Sequence, residues 1–161
     1  MIRAAVIAGL VTGCEDTPGP TGTARPGATS GTTPSRDPVV VAALRTAATQ
    51  IQQVADRYPA VVRRHPALRA QLAPAVQHRT AHLARLKELG GTAAPATGQP
   101  KPVPATAPAA VAELVAREQA LAVAHATAAV KLSGEPARVL AMIAAGETQL
   151  AVTMNRRPVS R

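Results

Sequence analysis

The chain is almost devoid of aromatic residues, and this absence restricts the folds and functions open to it. Tyr58 is the one aromatic residue among 161, and Phe and Trp are both missing. Strands of β-sandwiches and barrels depend on aromatic and β-branched residues, so the composition argues against an all-β domain. It argues equally against a nucleic-acid module that stacks bases on aromatic rings. A core must therefore be built from Leu, Val, Ile, Met and Ala, and the length fits one domain.

Cysteine and acidic residues are also scarce. A single cysteine, Cys14, excludes an intramolecular disulfide and leaves no cysteine pair for a zinc site. Lys and Arg number 18 against 9 Asp and Glu, giving a formal net charge of +9. Abundant Arg, Ala and Pro are common in proteins of GC-rich genomes, which accounts for part of this charge. The remaining interpretations are anionic lipid head groups, acidic wall polymers, nucleic acid or a merely solvated basic surface.

Residues 1–13 have the organisation of a secretory signal peptide. Arg3 precedes an apolar run from Ala4 to Val11, and polar residues follow Cys14. The run is too short to cross a bilayer, which takes about 20 residues. Val11-Thr12-Gly13-Cys14 resembles a bacterial lipobox, in which small residues precede a cysteine that is acylated and becomes the mature N-terminus. We therefore expect a lipoprotein signal peptide and lipidation of Cys14. The alternatives are a chance cysteine after an ordinary signal peptide, or a buried thiol in a cytosolic protein.

Residues 14–36 are expected to tether the protein to the outer face of the cell membrane. They are rich in Thr, Pro, Gly, Ser and Ala and have almost no large apolar side chain, so they cannot offset the entropy of ordering. A diacylglycerol on Cys14 would supply the two hydrophobic chains that stable anchoring takes. A flexible coil of this length spans about 25 Å root-mean-square.

From Asp37 onward the sequence has helical periodicity. Asp37-Pro38 predicts an N-cap followed by proline at the first helical position. Apolar residues then recur at alternating intervals of 4 and 3, at Val40, Leu44, Ala47, Ile51, Val54, Tyr58 and Val61. Pro59 lies within this stripe, so we expect a kink or break near Tyr58.

A second helix is predicted from Pro66 to about Leu89, because His65-Pro66 disfavours helical continuity and Gly90-Gly91 favours termination. Pro74 is expected to bend it. Its expected buried face comprises Leu68, Leu72, Val76, Leu83 and Leu86.

Two more helices follow a Pro-, Ala- and Thr-rich segment at residues 91–108. The stripe of the third helix comprises Val111, Leu114, Glu118, Leu121, His125, Ala128 and Leu132. Ser133-Gly134 predicts a stop, and Glu135-Pro136 opens the fourth helix. Its stripe comprises Val139 or Leu140, Ile143, Glu147, Leu150 and Met154, and a basic tail follows at 157–161.

The lengths of the connections predict the topology. Short turns near residues 65 and 134 favour two antiparallel hairpins. The 18 residues of the segment at 91–108 reach roughly 55 Å as polyproline II, whereas a helix of about 24 residues is about 36 Å long. This segment can therefore cross the full bundle, which predicts an all-α, ferritin-like four-helix bundle over residues 37–156. The alternative is an up-down bundle with a floppy loop.

The helical region also resembles a family of envelope lipoproteins from GC-rich Gram-positive bacteria. The residues that carry the resemblance are His65-Pro66-Ala67-Leu68, His78-x-x-x-His82-Leu83, and Glu118, His125 and Glu147 in an Ala-rich frame. The resemblance covers roughly residues 37–156. Members are assigned a ferritin-like fold and no function, so the resemblance implies a fold and a location rather than an activity.

Polar residues occupy positions where the periodicity favours Leu. Glu118, His125 and Glu147 lie on the buried stripes, and burying them costs several kcal/mol unless they are paired. On the second helix, Arg79 lies about 20° from the centre of the apolar face, His82 about 40° and His78 about 80°. The bundle interior could therefore hold these groups together.

These six residues have a structural and a metal-binding interpretation. In the first, Arg79 neutralises a glutamate and the histidines complete hydrogen bonds between helices. In the second, His78 and His82, at i and i+4, chelate a single metal ion with nearby carboxylates. Ferritin-like di-iron sites use Glu-x-x-His pairs, which this chain lacks, and Glu118 and His125 are about 10.5 Å apart along the axis. We expect the structural interpretation and no cofactor; a small-ligand site also stays open.

The sequence therefore predicts a lipid-anchored bundle with a non-catalytic binding or structural role at the cell envelope. No nucleophile-plus-base pair, phosphate loop or carboxylate pair indicates an enzyme. The expected partners are the membrane, through the anchor, and anionic lipids or wall polymers. The alternatives are a metal-binding protein, or a basic nucleic-acid-binding protein whose N-terminus is not a signal peptide.

Overall fold

A computed structural model describes residues 37–95 and 101–156 of the chain. Across these two ranges the protein is all-helical and contains no strand. A short 3-10 turn at Pro66–Leu68 joins the second and third helices. The helices are α1 Pro38–Ala55, α2 Arg57–Arg64, α3 Arg69–Glu88, α4 Ala107–Ala129 and α5 Gly134–Arg156. The prediction of an all-α helical bundle is confirmed.

Three of the sequence predictions fall outside the described residues. These are the signal peptide at 1–13, the lipidated Cys14 with the tether at 14–36, and the basic tail at 157–161. Among the described helices, none is both long and apolar enough to span a membrane.

Side-chain caps fix where α1 and α4 begin. The Asp37 carboxylate accepts a hydrogen bond of 2.8 Å from the backbone N–H of Val39, and Pro38 follows at the first helical position. The Thr106 hydroxyl caps α4 in the same way, accepting from the N–H of Ala109 at 3.4 Å. Both caps satisfy N–H groups that have no partner within the helix.

The predicted kink or break near Tyr58 is a break at Asp56. The helix α1 ends at Ala55 and α2 begins at Arg57. Pro59 lacks the N–H that would bond to the carbonyl of Ala55, and its ring crowds that carbonyl. The helix therefore ends four residues before the proline, and Pro59 lies in the first turn of α2.

The second predicted helix starts later, and its buried face differs at one position. Residues Pro66–Leu68 form the 3-10 turn, so α3 proper begins at Arg69. Val76 is 44% exposed, whereas Ala75 and Arg79 are buried. Val76 lies about 80° from the centre of the apolar face, so its hydrophobicity was a poorer guide than its angular position.

Two clusters of apolar side chains form the core. The first core cluster joins the middle of α1, the C-terminal ends of α3 and α4, and the start of α5: Leu44, Ala47, Ala48, Ile51, Leu86, Leu89, Ala129, Val139, Leu140 and Ile143. The second core cluster joins the end of α1 and α2 with the starts of α3 and α4 and the end of α5. It comprises Val54, Tyr58, Val61, Leu68, Leu72, Ala75, Ala110, Val111, Leu114, Val115, Leu121, Leu150, Ala151 and Met154. The most extensive helix pair is α4 with α5; α1 packs on α3 and α4, and α3 packs on α5.

The described parts of the segment at 91–108 contact α1 and α2. Gly91 approaches α1 so closely that an added Cβ would lie 2.9 Å from the Cβ and carbonyl oxygen of Leu44. The N–H of Ala94 donates to the Thr49 hydroxyl at 2.9 Å. Further along, Pro104 presents its carbonyl oxygen to His65 Nε2 at 2.9 Å. The beginning of the segment thus lies beside α1 and its end beside the end of α2.

Candidate functional site

A layer of polar side chains is buried between the two core clusters. Four of the six residues singled out from the sequence belong to it: Arg79 on α3, Glu118 and His125 on α4, and Glu147 on α5, each at most 1% exposed. The layer marks the change of cluster along the helices. On α5, for example, Ile143 belongs to the first core cluster and Leu150 to the second.

Arg79 joins the two carboxylates of the layer. Its Nη1 donates to Glu147 Oε1 at 2.8 Å, and its Nη2 forms an ion pair with Glu118 Oε2. The planar guanidinium can serve two carboxylates at once, which a lysine ammonium does less well. Since all three groups are excluded from water, each depends on the others for its charge to be tolerated.

His125 completes the layer on the Glu147 side. Its Nδ1 lies 2.9 and 3.1 Å from the two oxygens of the Glu147 carboxylate. An ionised carboxylate only accepts hydrogen bonds, so Nδ1 carries the hydrogen. One guanidinium faces two carboxylates here, and His125 adds a further hydrogen bond to one of them. Its Nε2 is buried with no hydrogen-bond partner among the described residues.

Tyr58 is a member of the layer that sequence reasoning missed. Its hydroxyl donates to Glu118 Oε1 at 2.7 Å and lies 3.8 Å from the Met154 sulfur. Burial raises the pKa of Tyr58 to about 12, although the positive charge of Arg79 acts in the opposite direction. The signal was present in the sequence: a buried tyrosine hydroxyl needs a partner, and Tyr58 is placed on an apolar stripe.

The remaining two candidates, His78 and His82, lie outside this bonded group. His78 is exposed, and its ring stands edge-on to that of His82 with centroids 6.1 Å apart. His82 is half-buried. Its ring lies close to α5, since a Cβ added to Gly146 would be 3.4 Å from the His82 ring. Burial lowers the pKa of His82 to about 4, and the nearby positive charge of Arg79 contributes to this. Its Nδ1 has no hydrogen-bond partner within the described ranges.

The layer does not fit a ferritin-type metal centre. A metal there would take the place between the carboxylates of Glu118 and Glu147, and the guanidinium of Arg79 already contacts both. Arg79 supplies the positive charge that a metal ion would bring and cannot be deprotonated. Across residues 37–95 and 101–156, no three His, Cys, Asp or Glu side chains converge in a way that would hold a metal ion.

A second ion-pair group, which the sequence analysis did not predict, joins α2 to residues 101–102 before α4. Arg57 is 7% exposed; its Nε and Nη2 donate to the two oxygens of Glu113 at 3.0 and 2.8 Å. The same guanidinium donates to the carbonyl oxygens of Lys101 and Pro102. Burial alone would raise the pKa of Glu113, but hydrogen bonds from Arg57 and Arg117 together lower it below its usual range. No sequence pattern marks this pairing, since Arg57 and Glu113 are 56 residues apart.

Comparison with known proteins returned no relatives. No protein-family model matches the chain, and neither does any curated protein or solved structure. What the protein does is therefore inferred from its own residues.

Proposed function

We propose that this chain is a lipid-anchored, extracytoplasmic helical bundle with a non-catalytic binding or structural role at the cell envelope. The proposal of a non-catalytic role is supported by the hydrogen bonds and ion pairs within the buried layer. Glu118 and Glu147 are fully buried and receive hydrogen bonds or ion pairs from Tyr58, Arg79 and His125. Carboxylates engaged in this way, behind apolar clusters on both sides, are poorly placed to accept a proton from a substrate.

The layer has a structural role in this proposal. Buried ion pairs add little net stability compared with apolar packing, but they penalise every arrangement that leaves a charge unpaired. The Ala-rich stripes of α4 and α5 offer few distinctive shapes for packing. Pairing Arg79 on α3 with glutamates on α4 and α5 would fix the register of these three helices.

We further propose that the bundle has the ferritin-like connection, with α1 and α5 running one way and α3 and α4 the other. The composition of the core supports this. The first core cluster contains the start of α1 and of α5 but the ends of α3 and α4, and the second contains the reverse. The packed pairs make α1 a neighbour of α3 and α4, and α5 a neighbour of the same two. Two hairpins joined by a crossover have these neighbours, whereas an up-down ring would place α3 beside α4.

The contacts of the segment at 91–108 agree with a crossover. Its beginning lies beside the middle of α1, at Leu44 and Thr49, and its end lies beside Arg57 and His65 on α2 and just after it. The two described parts of the segment therefore lie beside different parts of α1 and α2, which supports a crossover. This is the arrangement implied by the resemblance to ferritin-like envelope lipoproteins, and membership of that family belongs to the same proposal.

The anchor at Cys14 is tested by producing the full chain in a bacterium that processes lipoproteins, with the Cys14→Ser variant as the matched control. The expected result is a mature chain that begins at an acylated Cys14 and sediments with membranes, while the variant keeps residues 1–13 or is released. Globomycin, which blocks the lipoprotein signal peptidase, should leave the precursor uncut. An unmodified Cys14 and a location that does not change in the variant would refute the anchor and favour the cytosolic alternatives.

A single labile metal ion at His78 and His82 is the second candidate, favoured by the proximity of the two rings. Elemental analysis of the full chain, purified without chelators, tests it against His82→Ala. Stoichiometric metal that is lost in the variant would support the metal-binding function. A metal content unaffected by His82→Ala would refute the site.

A further inference from the structure

The net positive charge of the described residues is larger at one end of the bundle than at the other. The end built around the second core cluster carries seven cations against two carboxylates, Asp56 and Glu113. The end built around the first core cluster carries five cations against three carboxylates. Among the described residues, four exposed arginines without an ion pair lie at the first of these ends, which we call the basic end, whereas the other end has one, Arg45. The four are Arg63, Arg64, Arg69 and Arg156.

The carboxylates near the basic end do not neutralise these arginines. Glu113 is engaged by Arg57 and by Arg117, whose contact is 2.7 Å. Asp56 accepts a hydrogen bond of 2.7 Å from Gln52 and lies at the junction of α1 and α2. At the opposite end, in contrast, Glu135 lies within ion-pair distance of Arg85 and Arg138.

Local structure places three of the arginines close together. Arg63 and Arg64 end α2, and Arg69 begins α3 after the turn at Pro66–Leu68. Arg64 Nε donates to the carbonyl oxygen of Pro104 at 3.2 Å, which anchors that side chain to the crossing segment. The N-termini of α3 and α4 lie at this end together with the C-termini of α2 and α5, so the helix dipoles largely cancel and the arginines supply the positive charge. Guanidinium groups bind phosphate oxygens in a bidentate manner, so clustered arginines fit a phosphate-bearing chain.

The position of the basic end relative to the tether selects the partner. The tether enters α1 at Asp37, at the end opposite the basic end, and 27 residues of α1 and α2 separate Asp37 from Arg64, a rise of about 40 Å. A flexible coil of the length of the expected tether would span about 25 Å, and the field of lipid head groups decays over about 8–10 Å. Given the proposed anchor at Cys14, the basic end is the end of the bundle farther from the attachment at Asp37, so a partner that extends outward from the membrane reaches it without the bundle turning over.

We propose that the basic end is a docking surface for a phosphate-bearing polyanionic polymer of the cell wall, which it binds while the opposite end is tethered to the membrane. The inference rests on the proposed envelope location. It commits to a wall polymer rather than to lipid head groups, because of the separation between the basic end and the tether.

The test uses the full chain with Cys14→Ser, so that no acyl chain contributes to binding. Linear polyphosphate is the polymer probe, and vesicles containing phosphatidylglycerol are the lipid probe. The test variant replaces Arg63, Arg64 and Arg69 by Ala. The matched control replaces Arg45, Lys87 and Lys131 by Ala. These residues are also exposed, and their replacement lowers the net charge by the same three units.

The expected result is a loss of polyphosphate affinity of about 10-fold or more in the test variant and about 2-fold or less in the control. The slope of log K against log salt should fall by about 2 in the test variant, because each phosphate contact releases about 0.7 counterions from a single strand. Equal losses in the two variants would refute a localised surface and indicate a nonspecific basic charge. Vesicle binding that is tighter than polyphosphate binding, and that depends on the same arginines, would overturn the assignment to a wall polymer. These outcomes do not depend on acylation, so failure of the anchor at Cys14 is detected separately.

Discussion

Replacing Arg79 by Met tests whether the buried layer holds the bundle together as argued. The Met side chain fills most of the space of the arginine stem but removes the guanidinium. Glu118 and Glu147, both with no exposed surface, then lose their shared counter-charge. Removing one partner of a buried ion pair costs about 3–5 kcal/mol, because a charge is left unpaired in the interior. Since domains are stable by about 5–15 kcal/mol, this is a large fraction of the free energy of unfolding.

The assay is urea unfolding of the full chain with Cys14→Ser, followed by the helical circular dichroism signal at pH 7. Arg138→Met is the matched control: Arg138 is 75% exposed and paired with Glu135, and surface pairs contribute about 0–1 kcal/mol. A loss of 3 kcal/mol corresponds to an unfolding constant more than about 100-fold larger. The two variants should therefore be separated well beyond error.

A third variant keeps the test informative if Arg79→Met unfolds. Adding Glu118→Gln and Glu147→Gln removes both buried negative charges, and this triple variant should be more stable than Arg79→Met alone by about 1–3 kcal/mol. If Arg79→Met costs no more than Arg138→Met, or if the glutamines destabilise it further, the layer is not a mutually dependent charge group and the reasoning fails.

Three other predictions concern single groups. Tyr58 is the sole aromatic residue, so absorbance at 295 nm reports its ionisation alone, and this ionisation should occur near pH 12. The free energy of unfolding should fall as the pH rises from 10 towards 12, because the pKa of Tyr58 is higher in the folded than in the unfolded chain. An ionisation midpoint near pH 10 in the folded protein would contradict the burial of Tyr58. The pKa of His82 is lowered to about 4, so the free energy of unfolding should fall as the pH falls from 6.5 towards 4, where His82 is protonated more readily in the unfolded chain. The urea midpoint of His82→Gln should therefore depend less on pH over that range. The same pH dependence in the wild type and in His82→Gln would show that His82 does not cause it. Gly91→Ala should destabilise the fold by about 1–3 kcal/mol, because the new Cβ would lie 2.9 Å from Leu44. Gly146→Ala is the control: it lies within α5, its new Cβ would be 3.4 Å from the nearest side chain, and it should be neutral or stabilising by up to about 1 kcal/mol. Equal effects of the two variants on the thermal midpoint would refute the close approach at Gly91.

Much of the helical architecture could be predicted from local signals. Asp37 and Pro38 predicted the start of α1, and the stripe through Ile143, Glu147 and Leu150 predicted the buried face of α5, because both depend on residues within one or two turns. The predicted break near Tyr58 also had a local cause, because it occurs at the carbonyl that Pro59 leaves unbonded. One error was local too: Val76 was assigned to the core by its hydrophobicity, although its direction is outward.

Of the candidate site, only the presence of polar residues on apolar helix faces was predictable. A polar residue on an apolar stripe must find a partner, so periodicity alone singles out Glu118, His125 and Glu147. Which partner each one finds was not predictable. The pairing of Glu118 with Tyr58 joins positions 60 residues apart, and it exists because α2 and α4 meet at the second core cluster.

The sequence by itself determined the helices, their caps and breaks, and the presence of polar groups that had to be satisfied inside. Each of these follows from the chemistry of neighbouring residues. Only the tertiary structure decided that Arg79 would serve both glutamates, that Arg57 would hold the backbone of Lys101 and Pro102, and that Glu118 would meet Tyr58. These depend on which helix ends are brought together in space, and that is set by packing over the whole bundle rather than by any local pattern.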